Sequence, residues 1–297
     1  MQKLKVPCVV VIPVGPATEM DFLNDTLRSV SEYSMPGTKC LVIDNTRHGL
    51  KAHSIDDQHN IVILRCESEL DANPLYGGLY LNLSRAFKFI LDNYDVSMVF
   101  RLDDDALLIG GAADRRALEI FASDPSIGCL GSYRVTCTGS ARDFTPARRA
   151  LRAEISFKGA RNNWRRWRAL RSLRRRARRI GYEDGEHCLG AAAFYSRECL
   201  ERFQRLGFLE RAELRTSHLG EDHLFGMMVC AAGLRIADFA TGYKPLGLAW
   251  QGLPASPADL VGMGKAVVHS VKSHDGSDQA EVRAEFRRLL SKARRAV

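Results

Sequence analysis

The 297-residue chain has no C-x-x-C pair, no internal repeat, no G-x-G-x-x-G after its first apolar stretch, and no run near the roughly 20 apolar residues that span a bilayer. Each absence excludes something. Eight scattered cysteines without a paired spacing argue against a zinc site or a disulfide framework, and Cys8, Cys40, Cys129 and Cys230 lie in apolar runs where a free thiol serves as a small hydrophobe. A reducing, cytoplasmic setting follows as the expectation. The missing glycine fingerprint speaks against a dinucleotide-dependent oxidoreductase. The amino terminus, Lys3-Leu4-Lys5 before an apolar stretch at 6–14, looks superficially like a signal peptide. Pro7 and Pro13 interrupt it and no small-residue cleavage site follows, so it reads as a first strand.

What the chain does have is ample apolar content and a strongly uneven charge. At 45% hydrophobic and 26% charged it can bury a sizeable core and resembles a soluble globular protein in composition. Its net charge of +8 is concentrated: residues 141–180 hold fifteen Lys or Arg against Asp143 and Glu154, a local +13, so the rest of the chain sums to −5. Within that segment Trp164, Trp167, Leu170, Leu173, Ala177 and Ile180 recur at spacings of three or four, which predicts a basic amphipathic helix over 160–180. Three readings stay open. The helix can lie on an anionic membrane surface with its apolar stripe inserted, pack on its own domain with a solvated basic face, or bind nucleic acid. Nucleic acid ranks last, because no recognisable DNA- or RNA-binding motif surrounds it.

From 6 to 135 the pattern alternates. Strands are predicted at 6–14, 39–43, 61–64, 96–102 and 127–135, with helices at 20–33, 75–94 and 111–123, which implies a mainly parallel sheet covered on both faces. After the basic insertion at 140–182, a strand at 190–195, helices at 196–206 and 221–232 and a short strand at 235–239 are expected. Residues 241–264, rich in Gly and Pro, read as an ordered loop in which Trp250 either walls a pocket or is a buried anchor. A last helix is capped by Asp278 with Glu281 three residues on.

Chemistry concentrates at Asp103, Asp104 and Asp105, which directly follow the apolar run ending Phe100-Arg101-Leu102. A buried strand would deliver them to the carboxyl edge of the sheet, where α/β folds bind ligands. Crowded carboxylates repel unless a hard cation holds them, and such oxygen-rich sites suit Mg²⁺ or Mn²⁺ carrying a substrate phosphate. The plain alternative is a solvated turn. Glu221-Asp222 opens a predicted helix, where acids are enriched simply as caps. Asp44, in Asp-Asn-Thr, suits a turn equally well.

Taken together, the first-strand end Val11-Ile12-Pro13-Val14, the second-strand end Ile43-Asp44-Asn45, the aspartate cluster and Glu221-Asp222 make the chain resemble GT-A fold glycosyltransferases, particularly the nucleotide-sugar-dependent family two. The resemblance covers most of 6–275. It implies one GT-A (Rossmann-like) catalytic domain over 1–275, α/β with a mixed, mainly parallel sheet. That domain would comprise a nucleotide-binding half (1–135), the Arg-rich helical insertion (140–182) and an acceptor half (183–275), followed by a C-terminal helix (276–297). It further implies that Pro13, Val14 and Asp44 hold the base and ribose. Asn82 and Arg85 would contact the donor from Gly77-Gly78-Leu79-Tyr80-Leu81-Asn82-Leu83-Ser84-Arg85, where Ser84 stands in place of the family's usual glycine. Asp103 and Asp104 would sit at the donor, Asp103, Asp105 and His269 (with His274 as competitor) would hold Mn²⁺ or Mg²⁺, and Asp222 beside Glu221 would act as base.

That assignment makes chemical sense. Breaking the bond from a nucleoside diphosphate to the anomeric carbon loads negative charge on the leaving phosphate, which a cation neutralises and Lys272 can help carry. A carboxylate on the other side of the sugar takes the proton of the acceptor hydroxyl, and a first-turn position on a helix favours the ionised form of Asp222. The activity implied is inverting transfer from a nucleoside-diphosphate sugar, uridine diphosphate foremost, to a hydroxyl acceptor, lipid-linked or polysaccharide. Two other classes compete: a D-x-D phosphatase or phosphotransferase with Asp103 as nucleophile, and a non-enzymatic adaptor acting through the basic helix.

Overall fold

A computed structural model describes residues 3–51, 60–66 and 77–295. The chain runs β1 (Leu4–Val14), α1 (Met20–Tyr33), β2 (Lys39–Asp44), β3 (Ile61–Arg65), α2 (Gly77–Asn93), β4 (Tyr94–Leu102), β5 (Leu107–Leu108), α3 (Ala113–Ser123) and β6 (Ile127–Gly131). The insertion follows as α4 (Thr145–Glu154), α5 (Phe157–Asn162) and α6 (Trp164–Arg178). Next come β7 (Ala192–Ser196), α7 (Arg197–Arg205), α8 (Glu221–Ala231), β8 (Arg235–Asp238), β9 (Leu246–Leu248), α9 (Pro257–Gly262), β10 (Val267–His269), β11 (Ser273–His274), β12 (Ser277–Asp278) and α10 (Gln279–Arg295).

Seven strands form one sheet in the order β3-β2-β1-β4-β7-β6-β8. Only β7 runs against its neighbours β4 and β6, so the sheet is mixed and mainly parallel, as the alternating pattern predicted. β1 shows why it is central. Val9 and Val11 point into the core beneath α2, α7 and α8, whereas Cys8, Val10 and Ile12 point to the opposite core beneath α1, α3 and α10. Successive side chains of a strand face opposite ways, so a strand apolar at every position must be covered twice. Each fully buried Val or Ile there contributes about 1.5–3 kcal/mol. The prolines are tolerated because Pro7 precedes the first β2 partner at Val9 and Pro13 lies beyond the last β4 partner at Val11.

Two parts of the chain differ from expectation. The 241–264 stretch is more than a loop: it carries β9 and α9, and β9 joins β10 and β5 in a second, three-stranded sheet. The basic segment is three helices, α4 to α6, and Ser156 and Asn163 restart the chain by accepting the backbone N–H of Gly159 and Arg166. The inward face of α6, Leu170, Leu173 and Ala177, is buried in the same core as Phe225 and Met228 of α8. The middle of the apolar stripe is thus occupied by the protein's own core and is not free to insert into a bilayer, whereas Trp164 and Ile180 at its ends are exposed. All eight cysteines are free and buried. Among the described residues no helix is long and apolar enough to cross a membrane. The predicted helix start at Leu75 lies outside the described residues. The expected box at α10 forms: Asp278 accepts from the Glu281 amide at 3.0 Å and Glu281 accepts from the Asp278 amide at 3.1 Å.

Candidate active site

β4 ends at Leu102, and the chain turns through the three aspartates, closed by the Ala106 amide donating to the Asp103 carbonyl at 3.2 Å. The turn is held from two sides. The Asp103 amide donates to the Ala191 carbonyl just before β7 (2.9 Å), and Thr26 of α1 donates to the carbonyls of Asp104 and Ala106. Fixed this way, the side chains part. Asp104 turns towards the loop after β1, accepting from the Thr18 hydroxyl, which itself accepts from the Gly15 amide at 3.0 Å. Asp103 and Asp105 turn towards β10.

There they meet His269, whose Nε2 lies 3.1 Å from Asp105 Oδ1 and 3.6 Å from Asp103 Oδ2. Its Nδ1 donates to the Ala249 carbonyl at 2.8 Å, which fixes the ring and aims Nε2 at the carboxylates. The Ser270 hydroxyl donates to Asp105 Oδ2 at 2.7 Å, and the exposed Lys272 ammonium lies 3.4 Å from the same oxygen. Burial alone would lower the pKa of His269, but the hydrogen bond to Asp105 and the charges of Asp103 and Asp105 raise it. Burial would likewise raise Asp105, yet His269, Ser270 and Lys272 hold it well below the usual carboxylate range.

Ligand atoms of Asp103, Asp105 and His269 all lie within 4.8 Å of one another. The residues fit a divalent cation: two carboxylates and one imidazole offer ligand atoms around one point, and a cation there would take over the compensation that the exposed Lys272 now gives Asp105. His274 is not in the cluster; it sits in the β11–β12 hairpin, with Nε2 3.4 Å from Asp275.

Arg101, buried inside β4, connects the cluster to α8. Its Nη2 lies 2.9 Å from Asp103 Oδ1 and 2.8 Å from Glu221 Oε1. Burial and the charges of Asp222 and Asp103 outweigh the pull of Arg101 and push the Glu221 carboxyl up to about 7. Asp222 behaves oppositely. Burial alone would raise it, but His187, His223 and the His223 amide, which donates to Oδ1 at 2.8 Å, bring it below the ordinary value. The Gly190 amide donates to Oδ2 at 3.1 Å. Gly190 has to be glycine at this approach, because a Cβ would sit 2.8 Å from Glu221 Oε1. Two adjacent carboxyls driven apart in this way can divide acid and base roles.

Behind Asp222 stands His187, Nε2 3.6 Å from Oδ2, with Nδ1 donating to the Gly185 carbonyl at 2.7 Å. Arg142 donates to His187 Nε2 at 3.1 Å and to the Ser132 and His187 carbonyls. His187, Asp222 and His223 also offer ligand atoms within 4.8 Å of one another, but the Arg142 guanidinium on His187 Nε2 opposes a second cation.

Several expected contacts fall elsewhere. Asp44 is 1% exposed and both its oxygens are taken: Oδ1 accepts from the Thr46 amide and hydroxyl, Oδ2 from the Leu50 amide and Arg65. These contacts hold the turn after β2. Pro13 and Val14 do lie at the carboxyl end of β1, beside Ile43 and Asp44. Asn82 is buried on α2, and Arg85 lines a cavity of about 260 Å³ with Leu64, Cys66 and Phe89. Among the described residues no contact joins either of them to the aspartate cluster. Trp250 is 77% exposed, so it is not a buried anchor. Arg101, Ser270, His187 and Arg142 were missed; a lone arginine inside an apolar strand was the one available signal. The phosphotransferase reading is not favoured, because its nucleophile Asp103 is engaged by Arg101.

No protein-family model and no curated protein matches the sequence. Among solved structures, the galactosyltransferase LgtC in complex with donor and acceptor sugar analogs is similar over 96% of this chain and 95% of its own, at 11% identity and a TM-score of 0.48. A glycosyltransferase involved in glycosylation of the major capsid of PBCV-1 is similar over 95% and 100%, at 12% identity and 0.43. The mannosyltransferase PcManGT from Pyrobaculum calidifontis, in complex with GDP-Man and Mn²⁺, is similar over 80% of this chain and 56% of its own, at 15% identity and 0.43. With TM-scores under 0.5, these likenesses carry no argument for this chain.

Proposed function

We propose that the protein transfers a sugar from a nucleoside-diphosphate sugar to a hydroxyl acceptor, with inversion at the anomeric carbon. The observation that carries this reading is the convergence of Asp103, Asp105 and His269 at the carboxyl end of β4, joined through Arg101 to the acid pair at the head of α8. Asp103, Asp105 and His269 would hold Mn²⁺ or Mg²⁺, which when bound neutralises charge on the departing diphosphate.

The remaining roles belong to the chain itself. Lys272, exposed beside Asp105, can turn its ammonium to the diphosphate oxygens as they gain charge. Pro13, Val14 and Asp104 line the donor side through the loop after β1. Asp222, held below its ordinary carboxyl value by His187, His223 and the His223 amide at the first turn of α8, accepts the proton of the attacking hydroxyl. Glu221, paired with Arg101, positions it.

The test is protection against thermal unfolding by a panel of nucleotide sugars, with and without Mn²⁺. A ligand that binds only the folded state raises its stability. Metal-dependent protection by at least one nucleoside-diphosphate sugar is expected; no protection by any of them would refute the reading.

A further inference from the structure

The outward face of the Arg-rich insertion remains unexplained by sugar transfer. Between Glu154 and Glu183 the chain has no acidic residue. Some of its arginines are used internally: Arg166 meets Glu154 at 3.2 Å, and Arg174 and Arg178 share Asp184 at 2.7 and 2.9 Å. Others are not. Arg161, Arg165, Arg168, Arg171, Arg175 and Arg179 are exposed, and among the described residues none has a carboxylate within ion-pair distance. Arg165, Arg168, Arg171 and Arg175, spaced three or four apart along α6, and Arg179 just after it form a stripe opposite the buried Leu170, Leu173 and Ala177. Trp164 falls in the same stripe and is 57% exposed, and Phe157, first residue of α5, is 80% exposed.

We infer that this face docks the protein on an anionic lipid bilayer. α6 is about 22 Å long at 1.5 Å per residue, and its whole opposite flank is packed against α8, so it presents a straight stripe that can lie along a plane. Arginines bind headgroup phosphates through paired N–H groups, and exposed aromatics partition into the headgroup region. The −5 carried by the rest of the chain repels an anionic surface and so orients the molecule with this face down. The insertion is also tied to the segment leading into the acid pair, since Asn163 donates to Thr216 at 3.2 Å and the His218 amide donates to Glu154. The inference stands apart from the transferase reading, because it rests on surface residues outside that site.

Co-sedimentation of the full chain with vesicles of phosphatidylcholine alone, and with phosphatidylglycerol mixed in, tests it. Retention by the anionic vesicles only, weakened by salt, is expected. Arg161→Gln, Arg165→Gln and Arg168→Gln together should lower partitioning by about a hundredfold, at roughly tenfold or less per charge, and Phe157→Ser with Trp164→Ser should lower it further. Far-UV circular dichroism and the melting temperature of each variant confirm that it folds. Unchanged retention in folded variants, equal retention on neutral vesicles, or retention by an oligonucleotide with none by anionic vesicles would overturn the proposal.

Discussion

Arg101 Nη2 and Glu221 Oε1 lie 2.8 Å apart, joining the middle of the sheet to the first turn of α8 across 120 residues of sequence. The same nitrogen holds Asp103 at 2.9 Å, so one buried guanidinium compensates two carboxylates. Its Nε and Nη1 make no hydrogen bond, which leaves the charge of Asp103 and Glu221 as its main compensation. Arg101→Leu would strand Glu221 in a water-poor interior and take one of the two partners of Asp103. A loss of about 3–5 kcal/mol is expected, the usual cost of breaking a buried pair from one side. Urea denaturation measures it, and Arg101→Lys should lose less, because an ammonium keeps the charge but not the fork. A midpoint equal to wild type for Arg101→Leu would show that the bridge contributes nothing.

Asp222→Asn removes the proposed base while keeping its shape. Turnover of a transferable donor should fall by about 10²–10⁴-fold, the usual size of a general-base contribution. Thermal stabilisation by that donor should stay as it is, because Asp222 lies with His187 and His223 and not in the Asp103, Asp105 and His269 cluster. Full turnover in the variant would place the base elsewhere.

Much of this was legible in the residues. β1, apolar at consecutive positions, could only be a strand buried on both faces, and Met20–Tyr33 shows the helical period so plainly that its bounds match the prediction. The aspartate turn was visible because three acids cannot continue an apolar strand. What stayed hidden depends on contacts between distant segments. β9 and β10 are three residues each and exist because they pair with each other and with β5. The partners of Asp44 were equally hidden; Arg65 and the Leu50 amide reach it only once the chain folds back. His187 meets Asp222, with Arg142 behind it, only because its segment closes on α8, where Gly226 lets the His187 backbone come close: a Cβ there would lie 3.0 Å from His187 Cα.

His187 should make stability depend on pH. Burial lowers its pKa to about 4, helped by the nearby His223 and Arg142 and opposed by Asp222. The unfolded chain, with an ordinary histidine near 6.5, binds the proton first as pH falls. The stabilisation is therefore complete above about pH 6.5 and is lost as pH drops towards 4, up to ~3 kcal/mol in all. Melting temperatures of the wild type and His187→Asn across that window measure the effect together with any change in Asp222, whose carboxyl His187 helps hold down. The difference should narrow as pH falls; parallel curves would rule out this histidine as the cause.

Metal affinity distinguishes the two late histidines and tests how Asp105 is held. His269 reaches both carboxylates, whereas His274 lies against Asp275. Calorimetric titration with Mn²⁺ should therefore show binding lost in His269→Ala and Asp105→Ala and kept in His274→Ala. Ser270→Ala is the finer probe. The hydroxyl donates to Asp105 Oδ2 at 2.7 Å and accepts from the Lys272 amide at 3.3 Å, so it would orient a ligand without being one. Removing such a partner typically costs about 10–100-fold in affinity. A Ser270→Ala titration indistinguishable from wild type would mean that Asp105 is positioned by the turn alone, and binding retained in His269→Ala would leave the cation to the aspartates.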